Sequence, residues 1–122
     1  MTAPLLVWVV SSDQWLRACL RAELIERGLE AVGYEELAQA LPEGGVPSPI
    51  SPDAILLDLS SLEPKPEELR ALAATAAPVV VLTARVMREP EWPPWWRPTQ
   101  VLRRPLTLGQ VADAIQQVAT TS

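Results

Sequence analysis

Short unbroken apolar runs alternate along the chain with segments in which apolar residues recur every three or four positions, and that alternation predicts an α/β protein with a mostly parallel sheet. The runs at 5–10, 54–59 and 79–82 suit strands covered on both faces. From 14 to 27, Leu16, Cys19, Leu20 and Leu24 fall at helical spacing, with Ser12 or Asp13 as N-cap and Gly28 just past the end. Residues 29–34 read as an edge strand and 35–41 as a short helix, and PEGGVPSPISP at 42–52 is a loop by composition. A helix over 66–76 opens with Pro66, Glu67 and Glu68 in its first turn. A weaker strand at 100–103 precedes a final helix, which Thr107 and Gln110 start with a T-x-x-Q capping box and whose inner face is Leu108, Val111, Ala112, Ile115 and Val118. This gives five strands and four helices, with no helix predicted between the fourth and fifth strands.

In that gap stands EPEWPPWWRPT, residues 89–99, which holds Trp92, Trp95 and Trp96 among Pro90, Pro93, Pro94 and Pro98. Each proline lacks an amide donor and turns its predecessor away from helical angles, so no helix longer than about one turn forms here. The rings have two destinations: inward, over a sheet face that lacks its helix, or outward as a binding surface. The inward fate is expected for at least one of them.

At 122 residues and 48% hydrophobic content, the chain is expected to form a single domain, 1–122. Its longest early apolar run is far shorter than the ~20 residues of a bilayer span, and no leader pattern precedes it, so a soluble cytoplasmic protein without membrane contact is expected. Cys19 is the only cysteine and histidine is absent. Disulfide frameworks, Cys/His zinc sites and histidine-activated nucleophiles are therefore excluded. The net charge of −5 argues against nucleic acid as a partner. Charge is segregated, however. Residues 1–84 carry five cations and twelve acids, whereas 85–104 carry Arg85, Arg88, Arg97, Arg103 and Arg104 against Glu89 and Glu91. The tryptophan segment is the basic region, either by chance clustering or as a patch facing a partner.

PDAILLDLSS, APVVVLTA and VLRRPLTLGQVADAI, in that order and spacing, resemble the third, fourth and fifth strands of a bacterial response-regulator receiver domain. The resemblance implies a flavodoxin-like, doubly wound five-stranded parallel sheet of order 2-1-3-4-5, with the family's fourth helix degraded to the Pro/Trp-rich segment. It implies that Asp58 matches the phosphoacceptor, Thr83 the hydroxyl residue, and Arg104 with Pro105 the Lys-Pro pair. Ser11, Ser12, Asp58, Thr83 and Arg104 all fall at the carboxyl ends of strands, where open parallel sheets place ligands.

Four departures bear on function. The two acidic Mg²⁺ ligands that end the family's first strand are Ser11 and Ser12 here, so Mg²⁺ binding is expected to be weak or absent and no cofactor is expected. Asp13 would supply a carboxylate only if the register slipped by one, and a helix N-cap is its simpler role. Arg104 replaces the lysine, and its planar fork suits a direct or water-bridged pair with Asp58, while the resemblance implies a cis Arg104–Pro105 bond. The loop LSSLEPKP and Val101, three before Arg104, lack the family's proline, glycine and aromatic residue. Asp58 then either retains a use as phosphoacceptor or simply caps its turn and pairs with Arg104. The expected function is non-enzymatic: a pseudo-receiver adaptor that binds a protein partner, or itself, through 86–104, with Trp92, Trp95, Trp96, Arg97 and Arg103 as the surface. The alternatives are a working receiver phosphorylated on Asp58 and a flavodoxin-like binder of a small anion or nucleotide between Ser11, Ser12 and Arg104.

Overall fold

The computed structural model describes residues 3–41, 51–84 and 91–121. The loop at 42–50, and Arg85, Arg88 and Pro90 of the basic segment, lie outside the described residues. In chain order the elements are β1 (Leu6–Val10), α1 (Gln14–Glu26), β2 (Glu30–Tyr34), α2 (Leu37–Ala40), β3 (Ala54–Asp58), α3 (Pro66–Ala74), β4 (Val79–Thr83), β5 (Gln100–Arg103) and α4 (Leu108–Thr121). The sheet is parallel throughout, in the order β2-β1-β3-β4-β5.

Alternate strand residues feed two cores, as the two-residue period of a strand requires. Val7, Val9, Leu56, Val80 and Leu82 meet Leu16, Leu20 and Leu24 of α1 and Val111, Ala112 and Ile115 of α4. Trp8, Val10, Ile55, Leu57, Val79 and Val81 meet Leu37 of α2, Leu69 and Leu72 of α3, and Trp96. Because β1, β3 and β4 are buried on both faces, their sequences run apolar without alternation. The half-covered β5 reads more weakly.

Element ends follow local chemistry. Asp13 caps α1, its Oδ1 accepting from the Leu16 amide at 3.2 Å. Gly28, at φ +87°, turns the chain away past the helix end in a conformation that suits glycine. α3 stops two residues short of the expected end, because Ala76 takes a left-handed φ of +57° and the Thr75 hydroxyl bonds back to the Leu72 carbonyl. The box at α4 forms as expected: the Gln110 amide donates to Thr107 Oγ1 at 3.1 Å and the Thr107 amide to Gln110 Oε1 at 2.9 Å. Thr107→Ala is expected to cost about 1 kcal/mol, seen as a lower urea midpoint at unchanged slope.

Between β4 and β5 the described residues form no helix. The Trp96 amide donates to the Pro93 carbonyl at 3.1 Å, closing a tight turn, and Thr99 ties the segment to Val79 through its amide and its hydroxyl. Trp96 is 8% exposed. It packs on the β3–β4 side of the sheet beside α3, with Trp92 edge-on to it at 5.2 Å between ring centroids.

Candidate functional site

Ser11 directly follows β1, Asp58 and Thr83 end β3 and β4, and among the described residues these three are the fully buried polar side chains. A carboxylate carried out of water needs donors around it, and Asp58 is supplied by serines. Its Oδ2 accepts from Ser11 Oγ at 2.7 Å and from Ser61 Oγ at 3.0 Å. Its Oδ1 accepts from the Ser60 amide at 3.1 Å and from the Ser60 hydroxyl. Ser11 Oγ also receives the Asp13 amide at 3.1 Å, and Ser12 reaches across to Ser61 through its amide and its hydroxyl. The ends of β1 and β3 are thus stitched together by hydroxyls, with Arg17 Nη1 donating to the Ser11 carbonyl at 2.7 Å.

Ser60 and Ser61 were not singled out from the sequence. The available signal was a pair of serines just past the ends of two strands that lie side by side in the sheet, Ser11-Ser12 and Ser60-Ser61.

Arg104 Nη2 stands 3.9 Å from Asp58 Oδ2, with the arginine side chain 39% exposed against an aspartate side chain that is fully buried. The pair expected from the residue types is present as a loose one. The bidentate lock that a planar fork favours is not formed, because serine hydroxyls already occupy both carboxylate oxygens. Arg104 Nε is buried without a hydrogen-bond partner. The Arg104–Pro105 bond is cis, as expected. Thr83 does not turn to the carboxylate, and its hydroxyl donates to the Leu102 carbonyl at 3.3 Å.

These residues do not fit a divalent cation. Hard cations want several anionic oxygens, whereas among the described residues Asp58 is the one buried carboxylate, each of its oxygens accepts two hydrogen bonds, and a guanidinium stands beside it. Asp13 spends Oδ1 on the helix cap. Among the described residues no three of His, Cys, Asp and Glu gather into a metal site. A cavity of about 490 Å³ beside Arg104 is bounded by Asp13, Trp15, Leu82, Leu106 and Leu108, and neither Ser11 nor Ser12 lines it. A small-anion site shared by Ser11, Ser12 and Arg104 is therefore not what that cavity provides.

Trp96 is inside, the fate expected for at least one of the three rings, and is thereby withdrawn from the surface, while Trp92 is half-buried against the same core. Among the described residues between β4 and β5 no helix covers this part of the sheet face, and the two rings pack there instead. Trp95 is 46% exposed, and the Arg70 guanidinium carbon lies 5.6 Å from its ring centroid. Arg97 and Arg103 are exposed nearby in sequence.

No protein-family model matches the sequence, and no curated protein matches it. Solved structures do. A response-regulator receiver protein from Sinorhizobium medicae WSM419 superposes with a TM-score of 0.71 at 16% identity, over 97% of this chain and 96% of that one. One from Burkholderia phymatum gives 0.71 at 22% identity, over 97% of each chain. The N-terminal domain of a response regulator/sensory box/GGDEF 3-domain protein from Carboxydothermus hydrogenoformans gives 0.73 at 16% identity, over 94% of each. The chain has the receiver fold. Within that fold Ser11, Asp58, Thr83 and Arg104 share one end of the sheet, as the strand ends predicted. Among the described residues no helix is long and apolar enough to cross a membrane.

Proposed function

We propose that this receiver-fold chain is a non-enzymatic adaptor of two-component-type signalling in the cytoplasm, working by protein–protein contact without Mg²⁺-dependent phosphorylation of Asp58. The observation that carries this reading is the saturated carboxylate: Asp58 accepts from Ser11, Ser60 and Ser61, and hydroxyls stand where the resemblance calls for acidic metal ligands. Phosphoryl transfer to a carboxylate brings anions together, and positioning plus cationic neutralisation supply nearly all of its catalysis. Hydroxyls pointed at the nucleophile hold its lone pairs, and Arg104 at 3.9 Å is a single partly solvated cation.

The surface available to a partner is Trp95 with Arg70 and the exposed Arg97 and Arg103. A large ring among arginines favours an acidic protein surface, whether on another protein or on residues 1–84 of a second copy. Prolines on both sides limit the freedom that the segment loses on docking. Nothing in this reading calls on nucleic acid.

Incubation with acetyl phosphate and Mg²⁺, followed by intact-mass measurement, is expected to leave the mass unchanged. A gain of one phosphate that needs Mg²⁺ and vanishes in Asp58→Ala would establish the working receiver instead. Trp95→Ala, with the fold intact by circular dichroism, is expected to lose capture of the acidic partner.

A further inference from the structure

The outward face of α1 is apolar where solvent exposure calls for polar residues. The inner face is Leu16, Leu20 and Leu24. At about 100° per residue, the face opposite them is Trp15, Ala18, Ala22 and Ile25. All four are exposed, Trp15 by 76% and Ile25 by 55%. Their spacing is three, four and three, the alternation of a coiled-coil seam, with Trp15 and Ala22 at its a positions and Ala18 and Ile25 at its d positions. In the same frame Arg21 occupies g and Glu26 occupies e, so the stripe is basic along one border and acidic along the other. Both are exposed. Arg21 is also held in place: its Nε donates to the Ala31 carbonyl at 3.1 Å, and its Cδ lies over Gly33, where an added Cβ would come within 3.0 Å of it.

We infer that this stripe is a self-association seam, in which α1 lies parallel to α1 of a second copy about a two-fold axis along the helices. In a parallel pair each g residue faces the e residue five positions on in the other helix, so Arg21 meets Glu26 of the second copy, twice by symmetry. An antiparallel pairing centred on the stripe instead sets Arg21 against Arg21 and leaves Glu26 near Gln14 of the other helix, with no charge to pair it. Charge therefore selects both the occupant and the direction. The two alanines at the centre let the helices approach closely, while Trp15 and Ile25 close the ends.

The seam is short. Thirteen residues span about 20 Å, and such a contact stays below the roughly 1,200 Å² of a stable interface, so the dimer is weak and concentration-dependent. It also lies across the sheet from Trp95. α1 packs on the same face as α4, whereas Trp96 and α3 cover the other. Self-association and partner capture do not compete for surface, and a dimer would offer two Trp95 faces at once. The seam stands whether or not the adaptor reading does.

Sedimentation of the full chain from micromolar to about 1 mM tests it. A reversible monomer–dimer equilibrium is expected, abolished by Ala18→Arg at an exposed helical position where the fold tolerates change. Arg21→Glu and Glu26→Arg should each weaken association at least fivefold, and an equimolar mixture of the two should restore it, because both cross-pairs are again opposite in charge. Monomer throughout the range means that the stripe serves a helix of another protein or none, and overturns the inference. A dimer that survives Ala18→Arg, or singly swapped variants whose mixture associates no better than either alone, overturns it equally.

Discussion

Trp96→Ala is expected to destabilise the protein by about 3 kcal/mol or more, while Trp95→Ala, one residue away, costs less than about 1. Trp96 is buried over the sheet between Val79, Val81 and the side of α3, and it holds Trp92 edge-on. Truncation removes the transfer energy of a large ring and leaves a cavity that a turn stiffened by Pro93 and Pro94 cannot close. Trp92 loses its aromatic partner as well, which adds roughly 0.5–1.5 kcal/mol. Trp95 keeps much of its surface in water already, and what it forfeits is the contact with Arg70. Urea denaturation of both variants at equal slope measures the difference. Equal, small losses would mean that the segment does not cover the core, and the account of how these rings cover that sheet face would fail. A loss of several kcal/mol from a marginal total also explains why the two variants must not be pooled in binding work: only Trp95→Ala isolates the surface.

Which ring turns inward was not legible in the sequence. The strands were, because a doubly covered parallel strand must run apolar up to its carboxyl end, and the sequences of β1, β3 and β4 satisfy that without help from context. The cap at Asp13 and the box at Thr107 were legible for a similar reason: both are local geometry, closed within three residues. The segment 91–99 has no period to read. Its rings are sorted by one turn, from Pro93 to Trp96, and by an empty sheet face that exists only once the fold has formed. The candidate site divides along the same line. Strand ends placed Ser11, Asp58, Thr83 and Arg104 together, since topology alone dictates that. The hydroxyl cradle was out of reach, because Ser60 and Ser61 become partners of Asp58 through a turn conformation, and Ser61 meets Ser11 and Ser12 across 49 to 50 residues of chain. The same cradle explains why the arginine fork did not close on Asp58. Residue type alone predicts attraction, and only the filled lone pairs show that there is no vacancy.

If hydroxyls in place of carboxylates are what bar the metal, then Ser11→Asp with Ser12→Asp is expected to create a protein whose stability depends on Mg²⁺. Ser11 Oγ lies 2.7 Å from Asp58 Oδ2, so a carboxylate at that position puts two like charges within about 4 Å at the buried end of β1. At an effective dielectric constant near 20 that repulsion is about 4 kcal/mol, partly relieved by protonation and by the neighbouring guanidinium. Without metal the double variant should therefore melt well below the wild type. The three carboxylates would at the same time form the oxygen set that a hard divalent cation requires. Free metal at about 100 times its dissociation constant returns about 2.7 kcal/mol, which for a domain of this size is a rise of roughly 5–10 °C in Tm. Ser12→Asp alone, at an exposed position, serves if the buried substitution does not fold, and a smaller rise is expected from it. The readout is the melting temperature with and without Mg²⁺, for the variants and for the wild type side by side. A wild-type protein that itself gains several degrees from Mg²⁺ would show that Asp58 and its serines already hold the ion. A double variant that folds but ignores Mg²⁺ would show that Arg104 or the turn at Ser60 and Ser61, and not the lost carboxylates, keeps the metal out.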